Sequence, residues 1–429
     1  MKKLVYCDET TDIVGPGVEM IDTLVSGGKF ITRTNPGCWG NMITPKIRSW
    51  HEVGKPVGVE GAEVGDAVAI KIENINVLSR ATSSGTDEAQ SDYFESDPGI
   101  DSYCPNCGTK NPDTYLDGTG ENAVKCKNCD SPVVPFKMPH GYTMYFDRKR
   151  EFGITIDENL SSEISKNADK YSNLTPEGMQ HSINAFAKHD MPGVPARVIP
   201  MVGNIGTVPA MDMPSSHNAG DFAQFLLGAK HEFACTEDEL DNRTDAHMDV
   251  NEVREGAVVI APVKTKGAGV YIGDVHAMQG DGEIAGHTTD IAAEVEVTVD
   301  LIKNLNNLGP IILPNIEDLT PLTKPYTASE REKINKDAQS IGLDNIEDEM
   351  YPIQMIGSGA DLNSAAADGL NKLAELLDYS LDEVKNRVTI NGDISIGRAP
   401  GVVNITMLTP ISKLENINLA DLVKEHYNN

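Results

Sequence analysis

The ten residues Ala293–Ile302, AEVEVTVDLI, alternate without a break: Val295, Val297, Val299 and Leu301 share one face, and Glu294, Glu296, Thr298 and Asp300 the other. Successive side chains of a strand point to opposite faces. The pattern therefore demands a strand with one side on a core and one in water. Other segments agree. In VGVEGAEVGDAVAIKIENI (Val57–Ile75) a glycine-rich turn precedes a strand in which Val68, Ile70 and Ile72 alternate with Ala67, Ala69 and Lys71. GAVVIAPV (Gly256–Val263) is a short apolar run suited to a strand buried on both faces, and GAGVYIGD (Gly267–Asp274) predicts another strand. The fold class expected is mainly β, a sandwich- or barrel-like core.

The C-terminal part changes character. Ser329 with Glu332 and Ser380 with Glu383 have the S-x-x-E form of a capping box, in which each side chain satisfies an orphan amide of a first helical turn. Leu370, Leu373, Ala374 and Leu377 recur at helical spacing within Leu362–Tyr379, and RVTINGDISIG (Arg387–Gly397) predicts a strand. The expected organisation is residues 1–80 as an N-terminal β segment, 81–139 as an insertion, 140–325 as the β core and 326–429 as an α+β subdomain.

Between Ser79 and Pro139 the chain is polar and poor in aliphatics, with CPNCG (Cys104–Gly108) and CKNC (Cys126–Cys129) at its centre. Two C-x-x-C pairs with eighteen residues between them give the tetrahedral four-thiolate set that Zn²⁺ prefers. Cys104, Cys107, Cys126 and Cys129 thus predict a structural zinc ribbon, because four protein ligands leave no open position for water. Seven cysteines in all, an odd number, fit metal binding in a reducing compartment better than a disulfide framework.

The net charge of −29 over 429 residues argues against partners with phosphate backbones or anionic lipid surfaces, so neither nucleic acid nor membrane is expected. The beginning MKKLVYCDETTD lacks an apolar h-region, and the expected location is cytoplasmic.

The densest group of titratable residues is GDVHAMQGDGEIAGHTTD (Gly273–Asp290). Asp274 and His276 stand two apart at the end of a strand, so both can face one side. His276, Asp281 and Glu283, with Asp249 from DAHMDV, could serve one metal or one proton-transfer site. A glycine-rich hairpin tip is the alternative reading of the same residues.

The residues also carry a resemblance. GDVHAMQGDGE (Gly273–Glu283) resembles the acetamidase/formamidase signature G-D-x-H-x-x-Q-G-D-G-E. VGVEGAEVGDAVAIKI is similar to that family's V-E-G-A-x-x-G-D entry, and PMVGNIGTVP (Pro200–Pro209) to its P-x-M-G-x-I-G-x-x-P segment. GAVVIAPVKTKGAGVYIGD resembles the strand pair leading to the signature, and AAADGLNKLAELL followed by TINGDISIG the closing helix and strand. The resemblance implies hydrolysis of small aliphatic amides to carboxylate and ammonia at a site with a second divalent ion, Zn²⁺ or Ca²⁺, in a homo-oligomer. It matches His276 to the signature histidine, Glu283 to the closing glutamate and Asp249 to a motif aspartate. The mechanism expected from these has Asp249 and His276 at the metal, with Asp274 and His247 as further candidate ligands, Glu283 as proton acceptor, Asp274 or Asp281 orienting His276 and Gln279 donating to the oxyanion. The chain departs from the family's G-G-N-x-D motif, having Ala246 and His247 for the glycine and asparagine, and it looks expanded over roughly Asp221–Thr244. His217 and His287 are secondary candidates. A thiolate nucleophile at Cys38 or Cys235 is a competing mechanism. Competing functions are hydrolysis of a ureide, carbamoyl or cyclic amide, and a non-catalytic binding module presenting the zinc ribbon.

Overall fold

The computed structural model describes residues 4–37, 51–89, 103–117, 120, 122–134, 136–167, 170–171, 188–219, 236–347, 349–399 and 401–428. Its frame is a nine-stranded sheet in the order Leu4–Cys7, Gly28–Thr34, Ala293–Ile302, Ala67–Val77, Val258–Pro262, Ile311–Leu313, Met350–Ser358, Val402–Pro410 and Gly392–Arg398. The alternating strand lies near one end of it. Val295, Val297 and Val299 are fully buried while Glu296 and Thr298 stay half-buried, and Leu301 is half-buried as the strand leaves the core. Each buried valine contributes about 1.5–3 kcal/mol relative to exposure.

Ala67–Val77 shows why its two faces differ in size. Val68, Ile70 and Ile72 join the first core, shared with a second, five-stranded sheet containing Met201–Thr207 and Val270–His276. Ala67 and Ala69 face a second core, where Leu373 and Leu377 of the helix Leu362–Leu377 pack on Ile353, Met355 and Ile405. The branched face thus fills the space between sheets and the alanine face fits beneath the C-terminal part. That part continues the same sheet, and its helices cover one surface of it.

Two sequence expectations are corrected. The helix Ala328–Ser340 is capped by Thr327, which exchanges bonds with Glu330, so the box lies two residues before Ser329 and Glu332. Ser380 does cap a helix, accepting from the Glu383 amide, but that helix runs Leu381–Asn391. Arg387–Asn391 is therefore helical, and the strand begins only at Gly392. Val388, Thr389 and Ile390 favour strands, yet the cap, the Arg387–Glu383 ion pair one turn apart and the buried Val384 prevail. The polar stretch after Ser79 also supplies a strand of a separate sheet. Ala81–Ala89 pairs with Phe136–Phe146 as a long hairpin, and Thr82, Ser83 and Ser84 are fully buried. The Ser83, Thr143 and Ser161 hydroxyls bond to one another at 2.6 and 3.1 Å, which is how polar residues are accommodated inside. Among the described residues no helix is long and apolar enough to cross a membrane.

Candidate active site

The site is assembled where five separate segments meet. Met201–Thr207 pairs antiparallel with Val270–His276, and every residue of both strands is buried. Being covered on both faces, the second strand carries Asp274 and His276 inside. Asp274 adopts φ 53°, a left-handed conformation within a strand, and the ladder skips it. Opposite stands Gly203, where a Cβ would lie 2.9 Å from the Asp274 carbonyl and closer still to Asp249 Oδ1. The loop after Asp245 delivers His247 and Asp249. The amides of Met248 and Asp249 both donate to the Gly203 carbonyl, at 2.9 and 3.1 Å, and Asp249 also sits at positive φ, 51°. Further along, Gly282 clips the GDGE turn onto the end of Gly392–Arg398: its amide donates to Ile396 O and its carbonyl accepts from the Ala399 amide, at 2.8 and 2.7 Å. That clip brings Arg398 against Glu283.

The resulting cluster is almost sealed. His247, Asp249, His276 and Asp290 are 0% exposed, Asp274 1%, Glu283 4% and Arg398 6%. His276 Nε2 lies 3.3 Å from Asp274 Oδ1, 3.5 Å from Asp290 Oδ1 and 3.9 Å from Asp249 Oδ1. His247 Nε2 lies 3.1 Å from both Asp249 Oδ2 and Asp274 Oδ2. Each carboxylate thus turns one oxygen to each imidazole.

Hydrogen bonds fix both rings. The Gln279 amide donates to Asp249 O and Gly397 O, at 2.6 and 3.1 Å, so its Oε1 must accept from His276 Nδ1–H, at 2.8 Å. His247 Nδ1–H donates to Ser216 O at 2.9 Å. Both Nε2 atoms therefore face the carboxylates, the arrangement of a metal-ligating histidine held by an outer partner. Burial by itself would lower the histidines' pKa values. The facing carboxylates outweigh it, Asp249 for His247 and Asp274 for His276, and both pKa values rise well above the ordinary. Burial and the Asp249 charge push the Glu283 carboxyl well up, against Arg398 and His276. Burial and the Asp274 charge push Asp290 up to about 7, although His276 opposes them.

Among the described residues, ligand atoms converge within 4.8 Å in two such groups, His51–His247–Asp274 and Asp249–Asp274–His276, and in the four cysteines. The two site groups differ in one respect. Asp249 Oδ1, Asp274 Oδ1 and His276 Nε2 are buried without any hydrogen bond, whereas the opposite edge is engaged by Arg398 Nη1, 2.9 Å from His247 Nε2 and 3.1 Å from Asp249 Oδ2. Buried polar atoms are rarely left unpaired. Two carboxylates and an imidazole that converge in this way suit a divalent cation.

Asp249, Asp274, His276, His247 and Glu283 are thus brought together. Asp281 is not: it is exposed, and its Oδ1 accepts from Asn251 at 2.5 Å. Gln279 orients His276, and its amide hydrogens are already committed to two carbonyls, which leaves none for an oxyanion. His217 and His287 are buried but belong to neither metal-competent group. Cys38, Cys235 and residues 221–235 of the expanded region lie outside the described residues.

Three members of the centre escaped sequence reasoning. Asp290 sits opposite His276 in the ladder, and its signal was an acid directly before the apolar Ile291–Ala293. His51, whose Nε2 is 4.0 Å from Asp274 Oδ2, and Arg398, at the end of a strand, had no local signal.

The four cysteines occupy a separate module. The Gly108 amide returns to Cys104 O and the Asp130 amide to Cys126 O, both at 2.9 Å, and both residues have positive φ, so each C-x-x-C makes the same turn. The hairpin Thr114–Leu116 with Val124–Cys126 sets the turns face to face, with sulfurs 3.4 and 3.8 Å apart across the pairs. All four are free thiols, a donor set that fits zinc.

Comparison with known proteins agrees with the site. The chain matches the profile of the acetamidase/formamidase family over residues 19–242 and 240–414. Its fold resembles the predicted acetamidase/formamidase of Thermoanaerobacter tengcongensis, at 17% identity over 97% of this chain and 98% of that one, TM-score 0.54. It likewise resembles an acetamidase of Bacillus halodurans, at 16% identity over 97% and 99%, TM-score 0.52. No curated protein sequence matches the chain. The chain belongs to the acetamidase/formamidase family, and its general activity is amide hydrolysis.

Proposed function

We propose that this protein hydrolyses the C–N bond of a small aliphatic amide, of the size of formamide or acetamide, to a carboxylate and ammonia, using a divalent ion. Asp249 Oδ1, Asp274 Oδ1 and His276 Nε2 would hold that ion. The observation that carries the reading is that these three buried atoms converge with no hydrogen-bond partner. An ion there would polarise the amide carbonyl and acidify a water. Gln279 keeps His276 in the tautomer that presents Nε2. Glu283 takes the proton of the attacking water and returns it to the leaving nitrogen; its Oε2 is buried, without a hydrogen bond, and 3.4 Å from Arg398 Nε. The cysteine module holds a structural zinc at the tip of the long hairpin.

Ammonia release from formamide, acetamide and larger amides, with metal content measured in parallel, tests the reading. Glu283→Gln should abolish turnover and keep the metal. Full activity in that variant removes Glu283 from the scheme, and an enzyme inert on the whole panel overturns the substrate assignment.

A further inference from the structure

We infer that the guanidinium of Arg398 fills the second cation position of this centre, so that the site takes one metal ion and not two. The inference rests on the metal reading above but concerns the opposite edge of the cluster. Asp249 and Asp274 each present one oxygen to His276 and one to His247, and Asp274 belongs to both metal-competent groups. Two carboxylates shared in this way between two imidazole sets are the framework of a paired-ion site, whose ions stand about 3.5–4 Å apart.

Only one half of that framework is open. On the His276 side the three ligand atoms have no hydrogen bond. On the His247 side Arg398 Nη1 lies 2.9 Å from Nε2 and 3.1 Å from Asp249 Oδ2, and those two atoms are themselves 3.1 Å apart. The ligand atoms that converge on this side are those of His51, His247 and Asp274, and an ion among them must approach His247 Nε2 to about 2.0–2.2 Å. Nη1 already lies against that nitrogen and beside Asp249 Oδ2, and its charge cannot be removed by deprotonation. Nor can the side chain swing away without loss. Its Nε pairs with Glu283 Oε2 at 3.4 Å, the side chain is 6% exposed, and the flanking Ile396 and Ala399 are bonded to Gly282. Arg398 thus neutralises one edge of the carboxylate pair, keeps Asp249 turned so that Oδ1 faces the ion, and links that edge to the proton-transferring Glu283.

The experiment is a cobalt titration of the intact protein with ions counted by absorption and by elemental analysis. Cobalt on the cysteines gives thiolate charge-transfer bands and cobalt on nitrogen and oxygen ligands does not, so the two populations are read separately. Wild type is expected to bind one ion outside the cysteine module. Arg398→Met, similar in length and uncharged, is expected to bind two. His247→Ala is expected to keep its one ion, because His247 is not a ligand of it. Two ions in the wild-type centre, a count of one in a folded R398M, or loss of the ion in H247A each overturn the inference. The wild-type and H247A counts decide it even if R398M does not fold. A wild-type centre that binds no ion refutes instead the underlying metal reading, so the two failures are distinguishable.

Discussion

Gly203→Ala separates a metal-holding centre from a merely well-packed one. A Cβ at this position would lie 2.9 Å from both the carbonyl and Oδ2 of Asp274, and nearer still to Asp249 Oδ1. Real Cβ atoms do not approach oxygen so closely, so something must move. The Asp274 carbonyl is main chain in a buried strand, and Asp249 is held on its other oxygen by Arg398 and His247. The atom that yields is Asp249 Oδ1, one of the three proposed ligand atoms. Overpacking of a dense interior costs about 1–3 kcal/mol. The same displacement falls directly on metal binding, where disturbing even an outer partner of a ligand costs about 10–100-fold in affinity. G203A should therefore fold with reduced thermal stability, lose the ion at least 10-fold more readily in chelator competition, and release ammonia correspondingly more slowly. Gly369→Ala is the control: on the helix Leu362–Leu377 its Cβ would meet Ile405 Cδ1 at 2.9 Å, crowding the second core without touching a carboxylate. It should lower stability and leave metal affinity alone. A folded G203A with wild-type affinity and turnover would refute the assignment of Asp249 and Asp274 to the metal.

Two further outcomes concern other parts of the chain. Replacing Cys104 and Cys107 by serine should remove one zinc per chain and leave the second ion in place; elemental analysis that shows both lost, or neither, contradicts two separate sites. Burial, reinforced by Asp12 and opposed by the Thr10 hydroxyl, pushes Glu52 from 4.5 up to about 7. Its neutral form is the stable one in the fold, so its contribution is complete below pH 4.5 and is lost as pH rises through about 7. At about 1.4 kcal/mol per pKa unit the loss is at most about 3.5 kcal/mol. Glu52→Gln should therefore gain on wild type in denaturant melts as pH rises from about 4.5 to about 7, and equal pH slopes for the two proteins across that window would contradict this.

What could be read from the sequence was what neighbouring residues decide together. The alternation of Ala293–Ile302 and the Val/Ala alternation of Ala67–Ile72 report local faces, and the structure puts those faces on different cores. The four cysteines announce themselves by spacing. Asp249, His276 and Glu283 were found through ordered motifs, one of which, PMVGNIGTVP, now has a physical reason: Gly203 is the only residue small enough opposite Asp274 and Asp249. His51 and Arg398 could not be found in that way, since what recruits them is pairing across more than a hundred residues, and Asp290 is recruited by a short strand that folds back onto His276. Period two predicted that Asp274 and His276 share a side. They do meet, but through a left-handed Asp274 that no periodicity foretells. Strand preference was also misleading at Val388–Ile390, where capping and packing decide for helix.

The backbone gives a further reason to regard the cluster as a working site. Asp249, Asp274 and Glu283 have φ of 51°, 53° and 43°, a region that side-chain-bearing residues avoid. Aspartate tolerates it better than glutamate, yet strained positions cost on the order of 1–3 kcal/mol each. All three residues also bury a carboxyl group, which is unfavourable unless it is paired. Whole proteins are stable by only about 5–15 kcal/mol. A fold shaped for stability alone would place glycine or asparagine at such φ values and would bury no charge there. A ligand that binds only the folded centre returns stability in proportion to the logarithm of its concentration over its dissociation constant, about 4 kcal/mol at a thousandfold excess. That is the same order as the combined strain. The positive φ values, the convergent carboxylate oxygens and the Nε2 atom are what the proposed cation would account for together.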